Sequence, residues 1–202
     1  MSKIRCCFFD IGGVLIHFNR MKMIEDLADV CRTSADHILQ FLEEGVNARY
    51  ETGHLSFDEI YILFEKWVGK QLSPTAIKKA FCSAFSLNTE IEPLIWKLKK
   101  ASIPLFALSN TCDVHFDYLH KQYPMLRLFT GFILSYEVGA MKPSPRIFQK
   151  AIEKSGFLPS NCFFVDDIPE FTHAAEEFGI VSATFQDAYA LESKLIELGV
   201  IG

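Results

Sequence analysis

Three apolar runs in this 202-residue chain end in small or acidic polar residues. Phe8-Phe9 runs into Asp10, Leu108 into Ser109-Asn110, and Val165 into Asp166-Asp167. Lys142, in Gly139-Ala140-Met141-Lys142-Pro143, follows a fourth run, Phe132-Ile133-Leu134. If these runs are neighbouring parallel strands, their carboxyl ends open on one crevice, where open α/β sheets bind ligands. Asp10, Asp166 and Asp167 gathered there repel one another, and a hard cation relieves that repulsion. Mg²⁺ suits such a set, because it takes carboxylate oxygens, waters and substrate phosphate. Ser109 and a main-chain N–H can hold phosphate oxygens, and Lys142 can offset their charge. A carboxylate such as Asp10 can accept a phosphoryl group as a nucleophile. Anion donors joined to cation ligands point to phosphoryl transfer rather than metal storage. Singly, each residue has a plainer reading. Asp10 is a turn residue, Ser109-Asn110 a helix N-cap, and Asp166-Asp167 a cap for a helix starting near Pro169.

The elements that must position these residues follow from periodicity. Ile4 to Phe9 reads as a buried strand that ends at Asp10 and the Gly12-Gly13 turn. Val14 to Phe18 reads as a short extended segment. From Arg20 to Phe85 the pattern is helical, with Ser34 as a cap, Ser56-Phe57-Asp58-Glu59 as a capping box, and Ser73-Pro74 as a cap followed by Pro. No strand is expected there. Beyond Asn88, helix and strand alternate: strands at Ile103–Leu108, Phe132–Leu134, Cys162–Val165 and Ile180–Phe185, and helices between and after them. That alternation predicts an α/β fold, a three-layer Rossmann-like parallel sheet with a small α-helical insertion after its first strand. The expected division is a discontinuous core of 1–16 and 88–202 and a helical cap of 17–87.

At these positions the chain resembles the haloacid dehalogenase (HAD) superfamily. Phe8-Phe9-Asp10-Ile11-Gly12-Gly13-Val14-Leu15 is similar to its first motif, and Leu108-Ser109-Asn110-Thr111 to its second. Met141-Lys142-Pro143 is similar to the third and Val165-Asp166-Asp167 to the fourth. Tyr50 to Ser56 resembles the entry to the second pair of cap helices. The finer likeness, over Leu108–His115, Tyr123–Arg127 and Leu134–Phe148, is to bacterial phosphatases of the α-D-glucose-1-phosphate type. The resemblance implies Asp10 as nucleophile and Mg²⁺ ligand, Gly12 lending its carbonyl to the metal, Asp167 as a direct ligand, and Asp166 acting through water. It implies Ser109 and Asn110 on the phosphoryl group, and Lys142 bridging that group to Asp10.

Two positions depart from the family pattern. Gly12 stands where most relatives carry an Asp that protonates the leaving oxygen and then activates water, help worth about 10²- to 10⁴-fold. Easily departing groups, such as an anomeric oxygen, need that help least. Phe171 stands where many relatives place Asn, which removes a hydrogen bond behind the metal ligands. His17, His54 and His115 are the nearby candidates to replace the missing group. Arg49, Glu51 and His54, in the insertion, are candidates to select substrate.

Composition bounds the rest. Half of the chain is hydrophobic and 22% is charged, which excludes disorder. A net charge of -5 with no long basic block argues against a nucleic-acid partner. No apolar stretch reaches the ~18 residues of a transmembrane span. The six cysteines show neither Cys-x-x-Cys nor zinc spacing, so a reduced, soluble, cytoplasmic protein is expected. The Phe8-Phe9 and Phe163-Phe164 pairs belong to the core. The expected activity is that of a Mg²⁺-dependent phosphatase acting on a small phosphorylated metabolite, possible sugar phosphates included, through an aspartyl-phosphate on Asp10. A 2-haloacid dehalogenase and a catalytically degenerate phospho-ligand or partner-binding protein are the alternatives. Oligomeric state is left open.

Overall fold

The computed structural model describes residues 3–202; residues 1 and 2, assigned above to the first core segment, lie outside them. In chain order the elements are β1 (Cys6–Phe9), β2 (Ile16–Phe18), α1 (Arg20–Cys31), α2 (Ala35–Phe41), α3 (Asn47–Glu51), α4 (Phe57–Val68), α5 (Pro74–Phe81), β3 (Phe85–Leu87), α6 (Glu92–Lys100), β4 (Leu105–Ser109), α7 (Asp113–Gln122), β5 (Gly131–Leu134), α8 (Ser135–Val138), α9 (Pro145–Ser155), β6 (Cys162–Asp166), α10 (Pro169–Glu177), β7 (Val181–Thr184) and α11 (Ala188–Glu197). Five strands form one parallel sheet in the order β5-β4-β1-β6-β7. β1 sits at its centre, so the ends of β4 and β6 flank Asp10.

The phenylalanine pairs are explained by the pleat. Successive strand residues face opposite sides of a sheet. Phe9 and Phe163 pack on one side with Leu94, Ile95 and Leu98 of α6 and Leu191 and Leu195 of α11. Phe8 and Phe164 pack on the other with Ile147, Phe148 and Ala151 of α9 and Ala175 of α10. Cys6 and Cys7 divide between the two sides in the same way. All six cysteines are free and buried.

Helices α1 to α5 form an apolar cluster of their own, built on Ile24, Leu27, Ile38, Phe41, Phe64 and Ile77. The caps expected at Ser34, Ser56 and Ser73 are present, including the reciprocal Ser56–Glu59 box. The helical reading of the stretch up to Phe85 needs one correction. Phe85–Leu87 is a strand, paired antiparallel with β2 through Ile16–Leu87, His17–Ser86 and Phe18–Phe85. Its partner lies some seventy positions away, and a three-residue strand carries too little periodicity to be read locally. The Asn88 amide donates to the Val14 carbonyl at 2.9 Å just below this pair. The chain therefore leaves and re-enters the sheet layer at one tied point. No described helix is long and apolar enough to cross a membrane.

Phe164 meets Phe148 edge to face at 5.9 Å and is fully buried. Phe164→Ala is expected to cost about 3–5 kcal/mol through lost burial and the cavity left behind. Urea unfolding followed by circular dichroism measures this as a lowered midpoint.

Candidate active site

β1, β4 and β6 lie side by side, and the acidic residues at the ends of β1 and β6 meet. One carboxylate oxygen from each of Asp10, Asp166 and Asp167 lies within 4.8 Å of the others. The Lys142 ammonium stands between two of them, 3.0 Å from Asp10 Oδ1 and 2.5 Å from Asp166 Oδ2. Lys142 and Asp166 are 3% and 0% exposed. Asp10 Oδ1 also accepts from the Ile11 N–H at 2.8 Å, and Asp166 Oδ1 from the Ile168 N–H at 2.9 Å. No hydrogen bond among the described residues occupies Asp10 Oδ2.

The electrostatics follow from burial. Desolvation pushes the Asp166 carboxyl up to about 6, against the pull of Lys142 and with the charge of Asp10 adding to the rise. Desolvation also raises Asp167, again helped by Asp10. Burial works against the charge on Lys142, but the carboxylates of Asp10 and Asp166 outweigh it and hold the ammonium above its ordinary range. A carboxylate group of this density, half satisfied by one ammonium, fits a hard dication bound by oxygen. The glycines are consistent with that fit. At Gly13, φ is +75° and a Cβ would lie 2.2 Å from Asp167 Oδ2, so only glycine lets the Asp167 carboxylate approach. At Gly12 a Cβ would meet nothing within 4 Å.

Asn110 and Phe171 hold Lys142 in ways the residue order did not reveal. Asn110 Nδ2 donates to the Lys142 carbonyl at 3.0 Å, and the Lys142 N–H donates to Asn110 Oδ1 at 2.8 Å. This two-point clamp fixes the main chain from which the ammonium extends. The Asn110 side chain thus braces Lys142 beside the phosphate contact expected of this residue. Phe171 places its ring 5.2 Å from Lys142 Nζ, and Phe164 lies 5.6 Å away on the same cation. Phe171 therefore gives the ammonium a cation–π wall. Ser135 adds a second brace: its hydroxyl accepts from the Thr111 N–H at 2.9 Å and donates to the Thr111 carbonyl at 3.0 Å. Ser109 and Asn110 do not cap a helix. Ser109 ends β4, and α7 begins after Cys112 without a side-chain cap.

Two cavities meet over these residues. One, of about 470 Å³, is lined by Asp10, Gly12, His17, Glu51, Lys142 and Asp167 among others. The other, of about 280 Å³, runs under α1 and α3 and is lined by Ser109, Arg20, Asn47, Tyr50, Glu51 and His115, with the rings of Phe18, Phe81 and Phe85. Glu51 belongs to both. Arg49 and His54 line neither; both are exposed, and His54 Nδ1 is 2.7 Å from Thr52 Oγ1. The reason is helical geometry. Asn47, Tyr50 and Glu51 stand at i, i+3 and i+4 on one face of α3, and Arg49 points away from it. That spacing was the signal by which Asn47 and Tyr50 could have been found. His17 lines the first cavity. His115 is enclosed by Phe18, Phe81 and Phe85, and its Nε2 lies 3.1 Å from the Phe81 carbonyl. Burial pushes its pKa down to about 4, so it is neutral at neutral pH, and the proton it keeps on Nε2 is given to the Phe81 carbonyl.

A family model described as haloacid dehalogenase-like hydrolase matches residues 4–179. A D-ribitol-5-phosphate phosphatase of Bacteroides thetaiotaomicron is 30% identical over 193 residues, covering 91% of each chain. A HAD family enzyme from the same organism, solved with magnesium and inorganic phosphate, superposes with a TM-score of 0.83 at 29% identity, over 91% of this chain and 95% of that one. A HAD-like family hydrolase of Porphyromonas gingivalis gives 0.83 at 26% identity, over 96% and 98%.

Lys142→Met is expected to destabilise the metal-free protein by about 3–5 kcal/mol, because it leaves buried carboxylates unpaired. Urea titration in chelator-treated buffer measures this. His115 predicts an acid-side loss of stability. Its pKa is lowered in the fold, so between about 6.5 and about 4 the unfolded chain binds a proton that the folded one refuses. Stability is complete above that window and falls through it by on the order of 3 kcal/mol. His115→Gln should flatten the difference between unfolding curves at the two ends of the window.

Proposed function

The chain belongs to the haloacid dehalogenase-like hydrolases, and on that premise we propose that it is a Mg²⁺-dependent phosphatase of a small phosphorylated sugar or polyol. The observation that carries this is the juxtaposition of a three-carboxylate cluster with a buried ammonium at the floor of a cavity. In this reading residues 17–87 act as a cap over a core of 1–16 and 88–202. Asp10 Oδ1 is engaged by Ile11 and Lys142. That leaves Oδ2 as the oxygen that attacks phosphorus and carries the phosphoryl group. Asp10, Asp167 and the Gly12 carbonyl would hold Mg²⁺, and Asp166 would act through water. Bound there, Mg²⁺ would supply charge neutralisation to the phosphoryl oxygens. Lys142, positioned by Asn110, would offset the charge of the same group. The Ser109 hydroxyl, on the wall of the smaller cavity, would take a phosphoryl oxygen, together with the main-chain N–H of Asn110.

The substrate class rests on two likenesses. The sequence motifs resemble α-D-glucose-1-phosphate phosphatases, and the 30% relative acts on ribitol 5-phosphate by its name. These differ in leaving group, an anomeric oxygen against a primary alcohol, and share a small polyhydroxylated body. The smaller cavity suits a substrate of that size, with Arg20, Asn47 and Tyr50 on its wall.

Phosphate release from a panel of sugar and polyol phosphates tests the proposal. Asp10→Asn is expected to abolish turnover, and EDTA to stop it reversibly, with Mg²⁺ restoring it. EDTA-insensitive chloride release from chloroacetate would move the chain to the dehalogenases instead.

A further inference from the structure

Gly12 leaves the site without a side chain where a proton must be given and taken. The space is open: a Cβ there would meet no atom within 4 Å. The leaving oxygen of a primary polyol phosphate needs that proton. Among the candidates, His115 is neutral and bonded to Phe81, His54 lies outside both cavities, and His17, exposed, lines the cavity of Asp10 but not that of Ser109.

Glu51 has the right place. It lines the cavity that holds Asp10, Gly12 and Lys142 and also the one that holds Ser109 and Asn110. Its turn of helix is fastened on both sides to helices that flank the sheet, α7 and α8. On one side, the Tyr50 hydroxyl donates to Asp113 Oδ1 at 2.6 Å. On the other, Gly53 packs so tightly on α8 that a Cβ would lie 2.1 Å from the Tyr136 carbonyl oxygen. A surface glutamate kept for solubility has no such anchoring. We propose that Glu51 is the general acid and base of the reaction, reaching from α3 into the space that Gly12 leaves open. This rests on the phosphatase reading above.

The groups that face Glu51 come from several elements. Desolvation is the largest influence and favours the protonated form; Asn47 on its own helix and Arg20 of α1 oppose it, and Asp10 at the end of β1 reinforces it. His17, Lys142 and Asp167 share the same cavity. The steps balance. In the first, Asp10 Oδ2 bonds to phosphorus, the bond from phosphorus to the leaving oxygen breaks, and the Glu51 proton passes to that oxygen. In the second, Glu51 takes a proton from water as the water oxygen bonds to phosphorus. The bond to Asp10 breaks, phosphate leaves, and Asp10 is again a carboxylate beside a protonated Glu51.

The test compares the Mg²⁺-loaded wild type with Glu51→Gln on dinitrophenyl phosphate, phenyl phosphate and ribitol 5-phosphate, with folding checked by circular dichroism. For the variant, kcat on ribitol 5-phosphate should fall about 10²- to 10⁴-fold. On dinitrophenyl phosphate, whose leaving group needs no proton, it should give a burst of one dinitrophenolate per active site followed by slow turnover. The basic limb of the wild-type pH profile on ribitol 5-phosphate should vanish, and Glu51→Asp should recover part of kcat. An equal loss on all three substrates without a burst, or a raised KM with kcat intact, would overturn the assignment and leave Glu51 a binding residue. A wild type that releases phosphate from none of the three would instead overturn the phosphatase reading, and this assignment with it.

Discussion

The arrangement depends on one buried ammonium. Asp10 and Asp166 lie too close together to remain charged in a desolvated pocket without a cation, and Lys142 supplies it. Much else can be understood as support for that contact. Asn110 grips the Lys142 main chain from β4, Phe164 and Phe171 wall the ammonium, and the Ile168 N–H takes the remaining oxygen of Asp166. A buried pair that contributes little net stability can still fix geometry. Here it holds two carboxylates in register across β1 and β6 and leaves the third, Asp167, at the cavity mouth.

The sheet makes that contact possible by its order. With β1 central, β4 on one side and β6 on the other, three strand ends converge without any long loop. Adjacent phenylalanines drive one ring into each face of β1 and β6, so both strands are gripped from two sides. Rigidity of the scaffold and precision of the site are thus one property: side chains at strand ends can be no better placed than the strands.

The helical segment is joined to this scaffold differently. It has its own apolar cluster, and it meets the sheet layer through the β2–β3 pair, the Tyr50–Asp113 hydrogen bond and the Gly53–Tyr136 approach. These contacts are polar, small or aromatic, the last where Phe81 of α5 packs on His115 of α7. They suit an element that presents a face to a cavity more than one that completes the core. Glu51 lies between two of them, and Phe81 and Phe85 reach the cavity wall from its far end. The aromatic excess of the chain is therefore mainly scaffold, with a minority of rings facing the space where substrate would sit.

The α/β class, the central strands and the caps at Ser34, Ser56 and Ser73 were legible in the sequence, because each follows from local periodicity or capping chemistry. So was the gathering of Asp10, Lys142, Asp166 and Asp167, since polar residues at the ends of buried strands are rare enough to stand out. Tertiary structure decided what depends on partners distant in the chain. The β2–β3 pair, the clamp of Asn110 on Lys142 and the ring of Phe171 against the ammonium all join residues tens of positions apart. It also decided which of Arg49, Glu51 and His54 faces the site, through a single turn of helix whose orientation is set by anchors at Tyr50 and Gly53. Residue type states what a side chain can do; only packing states what it is aimed at.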